Sequence, residues 1–371
     1  MAIKRETRVL IAGAVIITLL ICLLGLRQES ALGVANIHAA AKKIWAPITN
    51  ATLRPPKHIV PHIPQPKERL AYVTWLSSTV SGPDRDDFDD GYFIATRILV
   101  YQLLHAPKTR TNKSIDVVVV VTPDVSESRR ERLRKDGAIV RPIDFLYADN
   151  DWLRPMNGRW RDIMSKLRVW ELTEYSRILM LDGDMILQRP LDGIFDDPGA
   201  KIVKTLHNVT HLDDEGMLPS QYLLASMGEI PGPDHKYPPD WDDFYQDGYG
   251  RFCAGFFLLS PSKEIFNHYK TVLNIEGRFD SILMEQNLLN YAHRWSGPMP
   301  WREIASTWNI RSVNDNDFDQ GVASMHEKWW EYPVSGSVRL HDYFMSVRWQ
   351  MEGYYQAIDD DSTCCPTGPL N

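Results

Sequence analysis

The 371-residue sequence has only four cysteines, Cys22, Cys253, Cys364 and Cys365, too few to build a disulfide scaffold. No set of cysteines and histidines has the paired spacing of a structural zinc site, so any metal must be bound mainly by oxygen. Basic residues are also scarce: 41 Lys and Arg stand against 48 Asp and Glu, a formal net charge of -7. Affinity for a phosphate backbone comes from accumulated Lys and Arg, so nucleic acid is excluded as an expected partner. There is no internal repeat and no low-complexity block. With 44% hydrophobic residues, the chain is long enough for one large globular domain or two smaller ones with a buried core.

One long apolar run does occur. Val9 to Leu26 reads VLIAGAVIITLLICLLGL, 18 residues without a charge, near the lower limit for a bilayer-crossing helix. Lys4, Arg5 and Arg8 precede it, and the positive-inside tendency puts the N-terminus in the cytoplasm. A cleaved signal peptide usually has a shorter apolar region and a small-residue cleavage site, which favours an anchor here. The expected organisation is a cytoplasmic tail (1–8), a transmembrane signal anchor (9–26), a proline-rich stem (27–69) and a globular domain (70–371). Pro47, Pro55, Pro56, Pro61, Pro64 and Pro66 break helices and central strands in the stem. Three sequons, at Asn50, Asn112 and Asn208, agree with a lumenal glycoprotein.

The globular pattern begins with Leu70-Ala-Tyr-Val-Thr-Trp-Leu76, a β-type run, followed by an apolar helical stretch from Gly91 to His105. Asp116 to Thr122 contains five consecutive valines, the composition of a strand buried on both faces. Ser126 is a plausible N-cap for a charged helix that stops at Gly137, and Ile139 to Phe145 suits a third strand. Trp160, Ile163, Met164, Leu167 and Trp170 recur at helical spacing before the strand Ile178-Leu-Met-Leu181. Strands alternating with helices predict a parallel α/β sheet covered on both faces. From His207 to Arg251 the chain is rich in Pro, Gly, Asp and Tyr, which reads as a long loop insertion bordering an acceptor site. Regularity returns with a strand over 252–260, a helix presenting Ile265, Tyr269, Val272 and Leu273, and another presenting Met284, Leu288, Tyr291, Ala292 and Trp295.

Asp182-Gly183-Asp184 follows the fourth strand directly. In open α/β sheets ligands gather beyond the carboxyl ends of strands. Two carboxylates separated by one residue can converge on a hard cation if the turn bends their side chains together, and Gly183 makes that bend cheap. A divalent ion there would stabilise the charge developing on a departing diphosphate.

The stretch Lys166 to Leu187, KLRVWELTEYSRILMLDGDMIL, resembles glycosyltransferase family 8, the glycogenin-like group. Phe252-Cys-Ala-Gly-Phe-Phe-Leu-Leu-Ser260 is similar to its Asn-Ala-Gly strand, and Met284-Glu-Gln-Asn-Leu-Leu-Asn290 to its Asp-Gln segment. Trp308-Asn309 and Leu340-His-Asp-Tyr343 follow in family order, so the resemblance spans about Leu70 to Trp349. It implies a GT-A fold, a Rossmann-like mixed sheet flanked by helices. It further implies retaining transfer from a UDP-sugar, UDP-N-acetylglucosamine or UDP-glucose, to a glycan or glycoconjugate acceptor, with Mn2+ or Mg2+. By carry-over, Asp182, Asp184 and His341 hold the metal. Thr74, Tyr92, Lys166, Gly255 and Arg348 contact the donor, with Gly255 letting the backbone approach the sugar, and Glu285 and Gln286 line the reacting face. The anchored form is similar to fungal Golgi members, which implies a single-pass type II Golgi membrane protein with a lumenal catalytic domain. Three departures stand out: Cys253 replaces the usual Asn, Glu285 replaces Asp, and the stretch after His341 lacks the family's Gly and Lys-Pro-Trp pattern. The rival reading is a membrane-tethered carbohydrate-binding protein that kept the fold and lost catalysis.

Overall fold

The computed structural model describes residues 68–78, 90–209, 211–244 and 251–364. The apolar run 9–26, the tail and nearly all of the stem lie outside the described residues, among which no helix is long and apolar enough to cross a membrane.

The expected alternation is present. Strand β1 (Leu70–Leu76) leads to helix α1 (Gly91–Leu104), β2 (Ile115–Val121), α2 (Glu127–Lys135), β3 (Ile139–Pro142) and β4 (Arg177–Leu181). Asp90 caps α1, its carboxylate accepting from the Tyr92 and Phe93 amides, and Ser126 caps α2 through the Arg129 amide. Gly137 has a φ of 104°, the left-handed conformation that ends α2. Beyond β4 come β5 (Met185–Leu187), β6 (Val203–Lys204), β7 (Gln221–Tyr222), β8 (Leu224–Ser226) and β9 (Phe256–Leu259). Helices α3 (Lys263–Leu273) and α4 (Glu285–Ala292) precede β10 (Arg302–Glu303), β11 (Ile310–Arg311), α5 (Asp315–Asp319), β12 (Ser324–His326) and α6 (Val338–Cys364).

The main sheet has the order β10-β8-β9-β4-β1-β2-β3. Strands β3, β2, β1 and β4 are parallel, while β9 runs antiparallel to both β4 and β8. This is a mixed α/β sheet, as the family resemblance implies, rather than a wholly parallel one. One face packs Val73, Val118, Val120, Ile178 and Met180 against the 163–171 helix, α3 and α4. The other packs Tyr72, Val117, Val119, Leu179 and Leu181 against α1 and α2. The valines of β2 thus supply both cores, which is why that strand shows no polar alternation. Each such side chain contributes about 1.5–3 kcal/mol on burial.

Two elements differ from expectation. The periodic segment before β4 is wound as a 3-10 helix from Ile163 to Glu171, without a side-chain cap at Asp162 and with Ser165 Oγ accepting the Leu146 amide. The supposed insertion is not wholly loop, since β8 inserts into the main sheet between β9 and β10. Ser226 fastens it there, donating its hydroxyl to the carbonyls of Phe256 at 2.6 Å and Cys253 at 3.1 Å.

Candidate active site

The carboxyl ends of β4 and β1 open into a cavity of about 710 Å³ lined by Trp75, Tyr92, Lys166, Asp182, Asp184 and Gln286, among others. Asp182 leaves β4 with its amide donating to the Gly255 carbonyl at 2.8 Å, which sets the aspartate beside the bend leading into β9. Asp184 stands immediately before β5, whose antiparallel pairing with β12 puts His326 opposite Met185. That register brings His326 Nε2 to 3.2 Å from Asp184 Oδ1 and 3.8 Å from Asp182 Oδ2.

The three side chains that could together hold a metal ion are Asp182, Asp184 and His326, whose donor atoms all lie within 4.8 Å of one another. His341 is not brought to the aspartates: on α6 it lies edge-on against the Tyr332 ring, with Nδ1 3.5 Å from Asp342. Two carboxylates and one imidazole form a hard to borderline donor set that fits Mn2+, and Mg2+ less well because that ion prefers oxygen alone.

Lys166 is almost fully buried, its ammonium 2.8 Å from Asp182 Oδ1 and 3.0 Å from Glu285 Oε1. Burial would lower its pKa, but the two carboxylates push it above the ordinary lysine range. Burial raises the Glu285 pKa in spite of the opposing pull of Lys166. At Asp184 burial also favours the neutral form, yet the His326 imidazolium and Lys328 outweigh it and hold the carboxyl well below the usual range. Lys328 Nζ stands 3.9 Å from Asp184 Oδ2.

Glu285 and Gln286 open α4 after Met284, which adopts a φ of 49°. A positive φ is rare for a non-glycine residue; here it turns the chain so that both side chains line the cavity. The Gln286 amide is fixed from both ends: its Oε1 accepts the Ala254 amide at 3.0 Å, and its Nε2 donates to Glu229 Oε2 at 2.8 Å. Arg311 donates to the other oxygen of Glu229 at 2.6 Å.

Tyr92, Lys166, Gly255, Glu285 and Gln286 thus meet in one cavity with Asp182 and Asp184. Thr74 and Arg348 do not line it. Side chains alternate along β1, so Trp75 takes the place expected of Thr74. Arg348 lies over the Trp329 ring and donates to Glu352 at 2.7 Å. The glycines serve packing. A Cβ on Gly255 would overlap the His326 ring and come within 2.8 Å of Asp182 Oδ2, so the space left there is taken by the imidazole. The chain bends at Gly183 and Asp184 as expected, though Gly183 needs no positive φ for it, and the glycine also makes room for Thr96 Oγ1, which would lie 3.0 Å from an added Cβ. Trp308-Asn309 is structural: Trp308 Nε1 donates to Asp197, and Asn309 Oδ1 accepts the Ser324 hydroxyl.

His326, Lys328 and Glu229 were not singled out from the sequence. The available signal for the first was the short run Ser324-Met-His326 with Met325 facing inward. Glu229 follows the equally short β8.

No protein-family model matches the sequence. The chain is 32% identical to galactinol synthase 3 of Arabidopsis thaliana over 295 residues, which are 71% of this chain and 81% of that one. It belongs to glycosyltransferase family 8. The family 8 chain is also 28% identical over 314 residues to an uncharacterized Schizosaccharomyces pombe protein, covering 75% of this chain and 79% of the relative. A solved structure of the galactosyltransferase LgtC with donor and acceptor sugar analogs is similar at a TM-score of 0.42 and 15% identity, covering 76% of this chain and 95% of that one. As a family 8 member, the chain is a glycosyltransferase that uses a nucleotide sugar.

Proposed function

We propose that this chain is a retaining glycosyltransferase that moves a hexosyl residue from a UDP-sugar to a glycan or glycoconjugate acceptor, with Mn2+ or Mg2+ held by Asp182, Asp184 and His326. The observation that carries the reading is the convergence of those three donors at the end of β4, in the same cavity as Lys166 and Gln286. The ion, when bound, would supply Lewis-acid stabilisation of the leaving diphosphate.

The chain's own residues do the remaining work. Lys166 locks Asp182 and Glu285 into one orientation and offsets their charge. Tyr92 and Lys328 border the phosphate end, Lys328 as a cation beside Asp184. Gln286, clamped by Ala254 and Glu229, offers its free amide hydrogen and its remaining lone pair to the sugar. The carboxylates that could act as nucleophiles are engaged: Glu285 by Lys166, Glu229 by Arg311 and Gln286, and Asp280 by the Ile282 amide it caps. This supports front-face attack, in which the acceptor's proton passes to the leaving phosphate, over a covalent glycosyl-enzyme.

The similarity to proteins named galactinol synthase is a reason to examine a galactosyl donor beside N-acetylglucosamine and glucose. The run 9–26 and the lumenal sequons support a type II Golgi membrane protein. NMR assignment of the product's anomeric configuration tests the mechanism. A product that keeps the donor's α configuration is expected, and an inverted product would contradict it.

A further inference from the structure

We propose that the bend from Cys253 to Gly255 positions the metal ligand His326, and that Cys253 fixes its imidazole so that Nε2 is the nitrogen offered to the cation. The proposal rests on the metal reading above and assigns a role to the residue at which this chain departs from the family pattern.

The bend is held at every residue. The Cys253 amide donates to the Met227 carbonyl at 3.2 Å, and its own carbonyl accepts the Ser226 hydroxyl at 3.1 Å. The Ala254 amide donates to Gln286, and the Gly255 carbonyl accepts the Asp182 amide. On this fixed backbone the His326 ring occupies the space that a Cβ on Gly255 would take. Cys253, buried and unpaired with another cysteine, sets its Sγ 4.0 Å from His326 Nδ1, while Nε2 faces both aspartates. The Cys253 sulfur is the hydrogen-bonding partner of Nδ1, and it becomes the acceptor in the tautomer that offers Nε2 to a cation.

A ligating histidine ordinarily donates its second ring N–H to a carboxylate, carbonyl or water, which fixes both tautomer and ring orientation. Here a thiol stands in that place. Sulfur is a weak acceptor, so the contact orients the ring without adding a charge next to the cation. Gly255 supplies the room and Cys253 the orientation, which makes Cys253 a positioning residue.

The test is Mn2+ binding to the full chain, read from the electron paramagnetic resonance signal of free Mn2+ with no sugar nucleotide present. Wild type is compared with Cys253→Ser, Cys253→Ala, Cys253→Val and Asp184→Asn. Loss of the acceptor in the Ala and Val variants is expected to weaken binding about tenfold or more, with Ser staying within about threefold of wild type. Should Val fail to fold, Ala carries the same comparison, with circular dichroism as the check. Binding that is tight in wild type, lost in Asp184→Asn and unchanged in Cys253→Ala overturns this proposal alone, as does a Ser variant as weak as Ala. Absence of Mn2+ binding by wild type, or its persistence in Asp184→Asn, overturns the metal reading and this proposal together.

Discussion

Lys166 sits between two carboxylates, Glu285 buried with it and Asp182 facing the cavity. Removing one member of such a buried network strands the others, at a cost of about 3–5 kcal/mol. Lys166→Met should therefore lower the urea midpoint sharply. Adding Glu285→Gln should restore part of the stability but none of the donor turnover; full recovery of turnover would show that Lys166 serves stability only. Glu229 gives a second prediction at this scale. Without it the Gln286 amide loses the acceptor that fixes its orientation, and misplacement of a catalytic group by about 1 Å costs about a hundredfold. Glu229→Ala is expected to lower kcat on that order while donor Kd, measured by calorimetry, changes little. Asp182 and Asp184 were legible as acids ending an apolar strand, whereas Lys166 and Gln286 came through the family resemblance; all four line one cavity. His326 was not legible, because a three-residue strand pairing across the fold brings it to Asp184. His341 has the right residue type and order, but α6 points it at Tyr332.

Among the elements, β8 holds the site together although its sequence looks like loop. Three residues give too short a run to stand out among flanking Pro, Gly and Asp, whereas β2 needs no context because burial on both faces writes itself as five valines. Ser226 joins β8 to the Cys253 bend and to β9, and Ser226→Ala would remove the one hydroxyl hydrogen that the buried Phe256 and Cys253 carbonyls share. The expected loss is about 1–3 kcal/mol in urea unfolding. A loss of Mn2+ affinity should accompany it, because the bend that cradles His326 is loosened. The 3-10 winding of 163–171 was equally hidden, since the spacing of Ile163, Met164, Leu167 and Trp170 suits either helix and the hydrogen bond from Leu146 to Ser165 is non-local.

For the whole molecule, a ligand that binds only the folded state must raise its stability. Mn2+ at 100 times its Kd should add about 2.7 kcal/mol to unfolding, read as a shift in thermal midpoint, and Asp184→Asn should show no such shift. The family resemblance implied the mixed sheet that strand and helix alternation alone read as parallel, because the antiparallel setting of β9 against β4 leaves no mark in the local pattern. The most direct test of the account is UDP release by the full chain from a panel of UDP-sugars, with Mn2+, Mg2+ or chelator, beside Asp184→Ala. Metal-dependent turnover of a donor that disappears in Asp184→Ala is the predicted result. Silence of the wild type across the panel with no donor binding, or undiminished turnover in Asp184→Ala, would contradict it.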